Sequence, residues 1–120
     1  MLSIGEKPTL ALTNPAASMR MALAEALTNM IGVVIKGLNY VQVSANWMAA
    51  SGEKQQDIAL RDGVEALSKM SVDLKVSIPV GKDSLSMKTK WSDNDNELEV
   101  TSPLSGVITC LLYTSPSPRD

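Results

Sequence analysis

The sequence predicts an α/β (α+β) domain in which two main helices pack on a mixed sheet. Three observations carry this. Two stretches repeat apolar residues at helical spacing. Short runs of strand length lie between and after them, bounded by Pro, Gly, Asn and Asp. Finally, 120 residues with 44% hydrophobic and 20% charged content suit one folded domain with one core. The order is helix, strand, helix and then three strands, without clean βαβ alternation.

The elements follow in order. The apolar run 9–12 predicts the end of a strand. Asn14 then offers an N-cap and Pro15 suits the first helical position. This helix is expected over about 15–31, with Gly32 and Gly37 bracketing its end. Its apolar stripe is Met19, Leu23, Ala26, Leu27, Met30 and Val34. Residues 40–44 alternate and read as a strand, and 46–50 as a loop or short turn. A second helix starts near Gln56 on a stripe of Leu60, Val64 and Leu67, weakened at Gly63 by up to ~1 kcal/mol. Residues 76–80 form a strand that Pro79 marks as an edge or an end. Two more strands are expected over 85–91 and 99–109, joined by the polar turn Asp93-Asn94-Asp95-Asn96.

Residues 110–120 break with this pattern, passing from a strand-like run into Ser and Pro. The segment resembles translated adapter or vector DNA, with a Pro-rich linker as the alternative, and is set apart from fold reasoning. A domain over 1–109 remains.

Composition excludes several functions. The net charge is −2 and no cluster of Lys and Arg stands out, so nucleic-acid binding has no electrostatic support. No apolar run has transmembrane length, and the N-terminus lacks a signal-peptide layout. A single cysteine excludes an internal disulfide and suits the cytoplasm. With no histidine, His-based zinc sites and Ser/His or Cys/His catalytic pairs are absent. With no Phe and seven Met, packing falls to Ala, Leu, Val and Met.

Glu25 and Asn29 are the most informative residues. Four apart on the first helix, they set two oxygen ligands one turn apart on one face, suited to a hard cation such as Mg2+ with its phosphates. Ser18, Ala22 and Gly32 share that face, and their small size leaves room for a ligand. No Lys or Arg lies three or four residues from Glu25, so no local ion pair is expected. On spacing alone, a solvated helix face is the commoner explanation. Gly81 and Lys82, in Val80-Gly81-Lys82-Asp83-Ser84, can offer a backbone N–H and an ammonium to a nucleotide phosphate. The Walker pattern fails, because its upstream glycine falls on Val76, and an ordinary turn between strands fits as well. Trp47 suits a core position with a bonded indole N–H, or a platform for a base.

Five blocks stand in register. They are Glu6-Lys7-Pro8, Glu25-Ala26-Leu27-Thr28-Asn29, Ser44-Ala45-Asn46-Trp47-Met48-Ala49-Ala50, the run 78–89 around Gly81-Lys82-Asp83-Ser84, and Thr101-Ser102-Pro103-Leu104-Ser105. Together they resemble the phosphoribosylformylglycinamidine synthase family in its large single-chain form. The resemblance covers about residues 1–109 and only a small part of that enzyme. It departs from the family wording between Ser68 and Lys75.

The resemblance implies a partial domain like aminoimidazole ribonucleotide synthetase, incomplete at both ends. It implies a ligase that converts formylglycinamide ribonucleotide and glutamine to the amidine with ATP, in purine biosynthesis. Mg2+ and ATP or ADP are the implied cofactors, with Glu25 and Asn29 as Mg2+ ligands. The implied partners are nucleotide and small-molecule substrates and the remainder of the same enzyme, including its glutaminase domain. Nucleic acid and membrane are not expected partners. The family's other metal-binding aspartates, its catalytic histidine and its glutaminase cysteine fall outside this stretch, so the chain alone is expected to be inactive. A scaffold segment without a ligand is one alternative. A related synthetase for selenophosphate or aminoimidazole ribonucleotide is another, and the blocks around Trp47 and Lys82 speak against it.

Overall fold

A computed structural model describes residues 1–94 and 96–112. Asp95 of the expected polar turn and residues 113–120 of the expected tail lie outside the described residues.

The chain opens with strand β1 (Leu2–Glu6) and a single helical turn, α1 (Pro8–Ala11). The first main helix, α2 (Pro15–Thr28), starts as the sequence predicts: the Asn14 side chain accepts from the Ala17 N–H at 2.9 Å and Pro15 is the first helical residue. A short 3₁₀ turn at Leu38–Tyr40 leads into β2 (Val41–Met48), followed by the long helix α3 (Lys54–Leu74). Strands β3 (Ser77–Ser84), β4 (Lys88–Asp93), β5 (Asn96–Thr101) and β6 (Ser105–Leu112) complete the chain.

The main sheet has the order β1-β6-β2-β3. β6 runs antiparallel to both β1 and β2, while β2 and β3, joined through α3, are parallel. The sheet is therefore mixed, as expected. β4 and β5 form a separate two-stranded hairpin.

One face of the sheet carries Ser3, Gly5, Val41, Val43, Ala45, Ile108, Cys110 and Leu112, all buried. Met19, Leu23, Ala26 and Met30 of α2 and Leu67 of α3 cover it. Buried side chains of this kind contribute roughly 1.5–3 kcal/mol each by leaving water, so this layer holds the fold. On the other face, Leu2, Ile4 and Val80 are about half exposed. Among the described residues, no helix is long and apolar enough to cross a membrane.

Several elements differ from expectation. Residues 9–12 form a helical turn in place of a strand end, because Pro8 opens it and the Leu10 and Asn14 N–H groups bond to the Lys7 and Leu10 carbonyls. α2 ends at Thr28; beyond it the bonds from Met30 to Leu27 and from Ile31 to Thr28 tighten the last turn, and Val34 is exposed. Only Leu67 of the predicted α3 stripe is fully buried, whereas Val64 is 42% exposed. Residues 46–48 belong to β2, since β3 and β6 pair with them on both sides. Gly81 to Ser84 are likewise strand, not turn.

Pro79 does sit on an edge strand. Between the pairs Gln42–Ser77 and Ser44–Val80, β3 fits one extra residue, a bulge that absorbs the missing N–H. The single strand expected over 99–109 is two, broken at Ser102, Pro103 and Leu104. β6 continues to Leu112, so the boundary placed after Thr109 falls inside a strand, and Cys110 belongs to the core.

Candidate functional site

The site grows out of the contact between β1 and α2. β1 turns its small residues to the helix. A Cβ on Gly5 would strike the Ala22 carbonyl oxygen and the Ala26 nitrogen, so only glycine allows this approach. The Ser3 hydroxyl donates to the Ala26 carbonyl at 2.6 Å. At the far end, the Ser18 hydroxyl donates to the Lys7 carbonyl, also at 2.6 Å.

This docking delivers the end of β1 to Glu25. The Glu6 backbone N–H donates to Glu25 Oε2 at 2.8 Å, and Lys7 Nζ donates to Oε1 at 2.7 Å. The Lys7 ammonium, and after it the Glu6 N–H, hold the Glu25 carboxyl below the usual carboxylate range. One turn on, Asn29 Nδ2 donates to the Ile4 carbonyl at 2.8 Å, which leaves the amide oxygen as the ligand atom. Both side chains of the pair thus share one face and lie along β1.

Two expectations change here. The face formed by Ser18, Ala22, Glu25 and Asn29 is not open along its length: Ser18 and Ala22 are buried, and the room their small side chains leave is filled by β1. Glu25 is also ion-paired after all, to Lys7, eighteen residues away in sequence and out of reach of any helical spacing rule. Lys7 and the Glu6 N–H are the site members that reasoning from helix periodicity misses. Their one signal was the block Glu6-Lys7-Pro8 among the family-like motifs.

The donor set suits a hard cation in part. It offers an ionised carboxylate and an amide oxygen, and the carboxylate already carries a cation, the Lys7 ammonium. Among the described residues, no three His, Cys, Asp or Glu side chains gather to hold a metal ion by themselves. Glu25 and Asn29 can therefore supply some ligands of a shell that phosphates, water or other groups complete.

Gly81 and Lys82 lie elsewhere. They pair with Ala45 and Asn46 in β3, the sheet edge opposite β1. Three strand spacings of about 4.8 Å separate the two edges, so the sheet does not bring Lys82 to Glu25. Lys82 is exposed on the uncovered face, beside Ser84, whose hydroxyl it meets at 3.3 Å. A Cβ on Gly81 would come within 2.6 Å of the Ala45 carbonyl oxygen, so this glycine serves strand packing whatever else it does. Trp47 packs against both apolar clusters and takes the core role.

Comparison with known proteins bears on this arrangement. Residues 1–112 match the family model described as the FGAR-AT PurM_N-like domain. The fold is similar to a chain in the structure of PurLQS from Thermotoga maritima, with a TM-score of 0.62 and 16% sequence identity. That alignment covers 91% of this chain and 17% of the other, so the chain spans about a sixth of that protein's length.

Proposed function

The chain belongs to the FGAR-AT PurM_N-like domain family, and from that premise we propose that it is part of the synthase domain of a phosphoribosylformylglycinamidine synthase. The reaction is the ATP- and glutamine-dependent conversion of formylglycinamide ribonucleotide to its amidine, in the cytoplasm. The chain contributes part of a magnesium–nucleotide site. The rest of the enzyme, including its glutaminase domain, supplies what is missing, and the chain alone does not catalyse the reaction.

One observation carries the site: an ionised carboxylate and an amide oxygen, one helical turn apart, are aimed by the same strand, with a cation already on the carboxylate. Glu25 and Asn29 would hold Mg2+, which neutralises the phosphates of ATP or ADP. Lys82, exposed with Ser84 on the uncovered sheet face, is a candidate for a nucleotide or substrate phosphate at a separate place, with Gly81 beside it.

The bonds from Glu25 and Asn29 to β1 also favour a second reading. Both side chains staple the strand to the helix, which a purely structural role would explain. Glu25→Gln in the complete enzyme separates the two. After purification and denaturation, released nucleotide and magnesium are counted against the parent. Loss of one nucleotide per chain supports the metal site; equal amounts would sink it and leave a scaffold.

A further inference from the structure

The cation on Glu25 belongs to the chain itself. Lys7 reaches Oε1 alone, while Oε2 stays bound to the Glu6 N–H. The two carboxylate oxygens therefore differ: one is tied to backbone, the other to a side chain. The Lys7 and Glu25 side chains are 39% and 31% exposed, open enough for ions and water to exchange. Ion pairs this exposed are weakly held, so exchange at Oε1 is cheap.

The Lys7 backbone, by contrast, is fixed. Its carbonyl accepts from the Ser18 hydroxyl at 2.6 Å and from the Leu10 N–H at 3.2 Å. Pro8 follows and constrains the residue before it. A lysine so anchored can swing its ammonium on a flexible four-carbon stem without disturbing β1 or α1.

We infer that Lys7 is a third member of this site, a tethered cation that a divalent ion displaces from Glu25 Oε1 and whose freed ammonium pairs with the phosphate that the ion brings. The inference rests on Glu25 and Asn29 being metal ligands. Exchange keeps each charge paired: the divalent ion replaces the ammonium on the carboxylate, and the ammonium moves to the incoming anion. The site is thereby selective for a metal together with its phosphate. A bare metal ion must compete with Lys7, whereas a metal–nucleotide gives the displaced lysine a new partner.

Two measurements on the complete enzyme that contains this chain test this. In the first, lysines are acylated with acetic anhydride and modification at each is read by mass spectrometry, with no addition, with Mg2+ and with Mg2+ plus ADP. Labelling of Lys7 is expected to rise several-fold with Mg2+ alone and to fall back when ADP is added, while Lys36 and Lys69 stay constant. The second measures Mn2+ affinity by titration calorimetry in the parent, Lys7→Met and Glu25→Gln. At the Glu25-dependent site, Lys7→Met is expected to bind bare Mn2+ several-fold more tightly and Mn2+ with ADP more weakly; Glu25→Gln should lose that site.

If Glu25→Gln abolishes Mn2+ binding at that site while Lys7→Met leaves both affinities unchanged and Mg2+ does not alter Lys7 labelling, the metal site stands and the role of Lys7 is overturned. If no Mn2+ binding depends on Glu25, the metal site fails and this inference fails with it.

Discussion

At the scale of single residues, Cys110 shows how far a side chain's role depends on its neighbours. It lies fully buried in β6, between Ser3 of β1 and Val43 of β2. Burial pushes its thiol up from the ordinary range, with the neighbouring Ser3 hydroxyl a smaller opposing effect, so the thiolate is scarce. A disulfide reagent such as DTNB should leave the native chain untouched at neutral pH and react with one thiol per chain in denaturant; fast native reaction would mean that β6 is not packed as described. Sequence alone set this residue with the tail, because the Ser/Pro run that follows it dominated its surroundings. Met19, Leu23, Ala26 and Met30 were legible, since helical spacing alone puts them on one stripe. The pairing of Lys7 with Glu25 was not, because it depends on how a strand and a helix meet in space.

At the scale of elements, β1 was missed for a physical reason. Strand patterns are recognised by apolar residues facing a core, and β1 inverts this, turning Ser3 and Gly5 inward and Leu2 and Ile4 outward. Its inward face is small because α2 lies so close. Gly5→Ala should therefore destabilise the chain by about 1–3 kcal/mol or more, as overpacking does, with the upper end expected since both obstructing atoms are backbone. Urea unfolding followed by circular dichroism would measure it, and an unchanged midpoint would refute the close approach. The hairpin of β4 and β5 is held differently. Lys88 Nζ bonds Glu53, at the start of α3, at 2.5 Å and Glu99 at 3.0 Å. These bonds, Glu53 first, raise the Lys88 ammonium above its usual range, and the bond from Lys88 lowers the Glu99 carboxyl. The Glu99 contribution is present above the ordinary carboxylate pKa and is lost as pH falls through the lowered value. That of Lys88 is present below the ordinary lysine pKa and is lost as pH rises through the raised one. The acid limb thus loosens the hairpin itself and the alkaline limb also its docking on α3, with both flat between about pH 5 and about pH 10. In a Trp47→Phe background, the emission of Trp91 on β4 reports both, and a break near pH 7 would contradict this account.

At the scale of the molecule, the main helices and the mixed sheet were legible in outline, but the strand order was not. β6 inserts between β1 and β2, a placement that no local pattern encodes. Glu25 and Asn29 on the one hand, and Gly81 and Lys82 on the other, were read from the same run of motifs, and the topology puts them towards opposite sheet edges. Among the described residues, one sheet face is uncovered, with Leu2, Ile4 and Val80 about half exposed, and the outer edge of β1 is unpaired; these should make the isolated chain self-associate. Sedimentation at rising concentration should show this, and Ile4→Lys should reduce it; a concentration-independent monomer would count against it. The pairing of β1 with β6 has a further consequence, one of timing. During synthesis the first strand leaves the ribosome long before the strand that completes it, and α2 and β2 emerge in between. Among the described residues, β1 finds its ladder in β6, and until that strand arrives its contact is with α2. A ribosome paused just before β6 would therefore carry a nascent chain whose helices can form, but whose strand beneath Glu25 still waits for a partner.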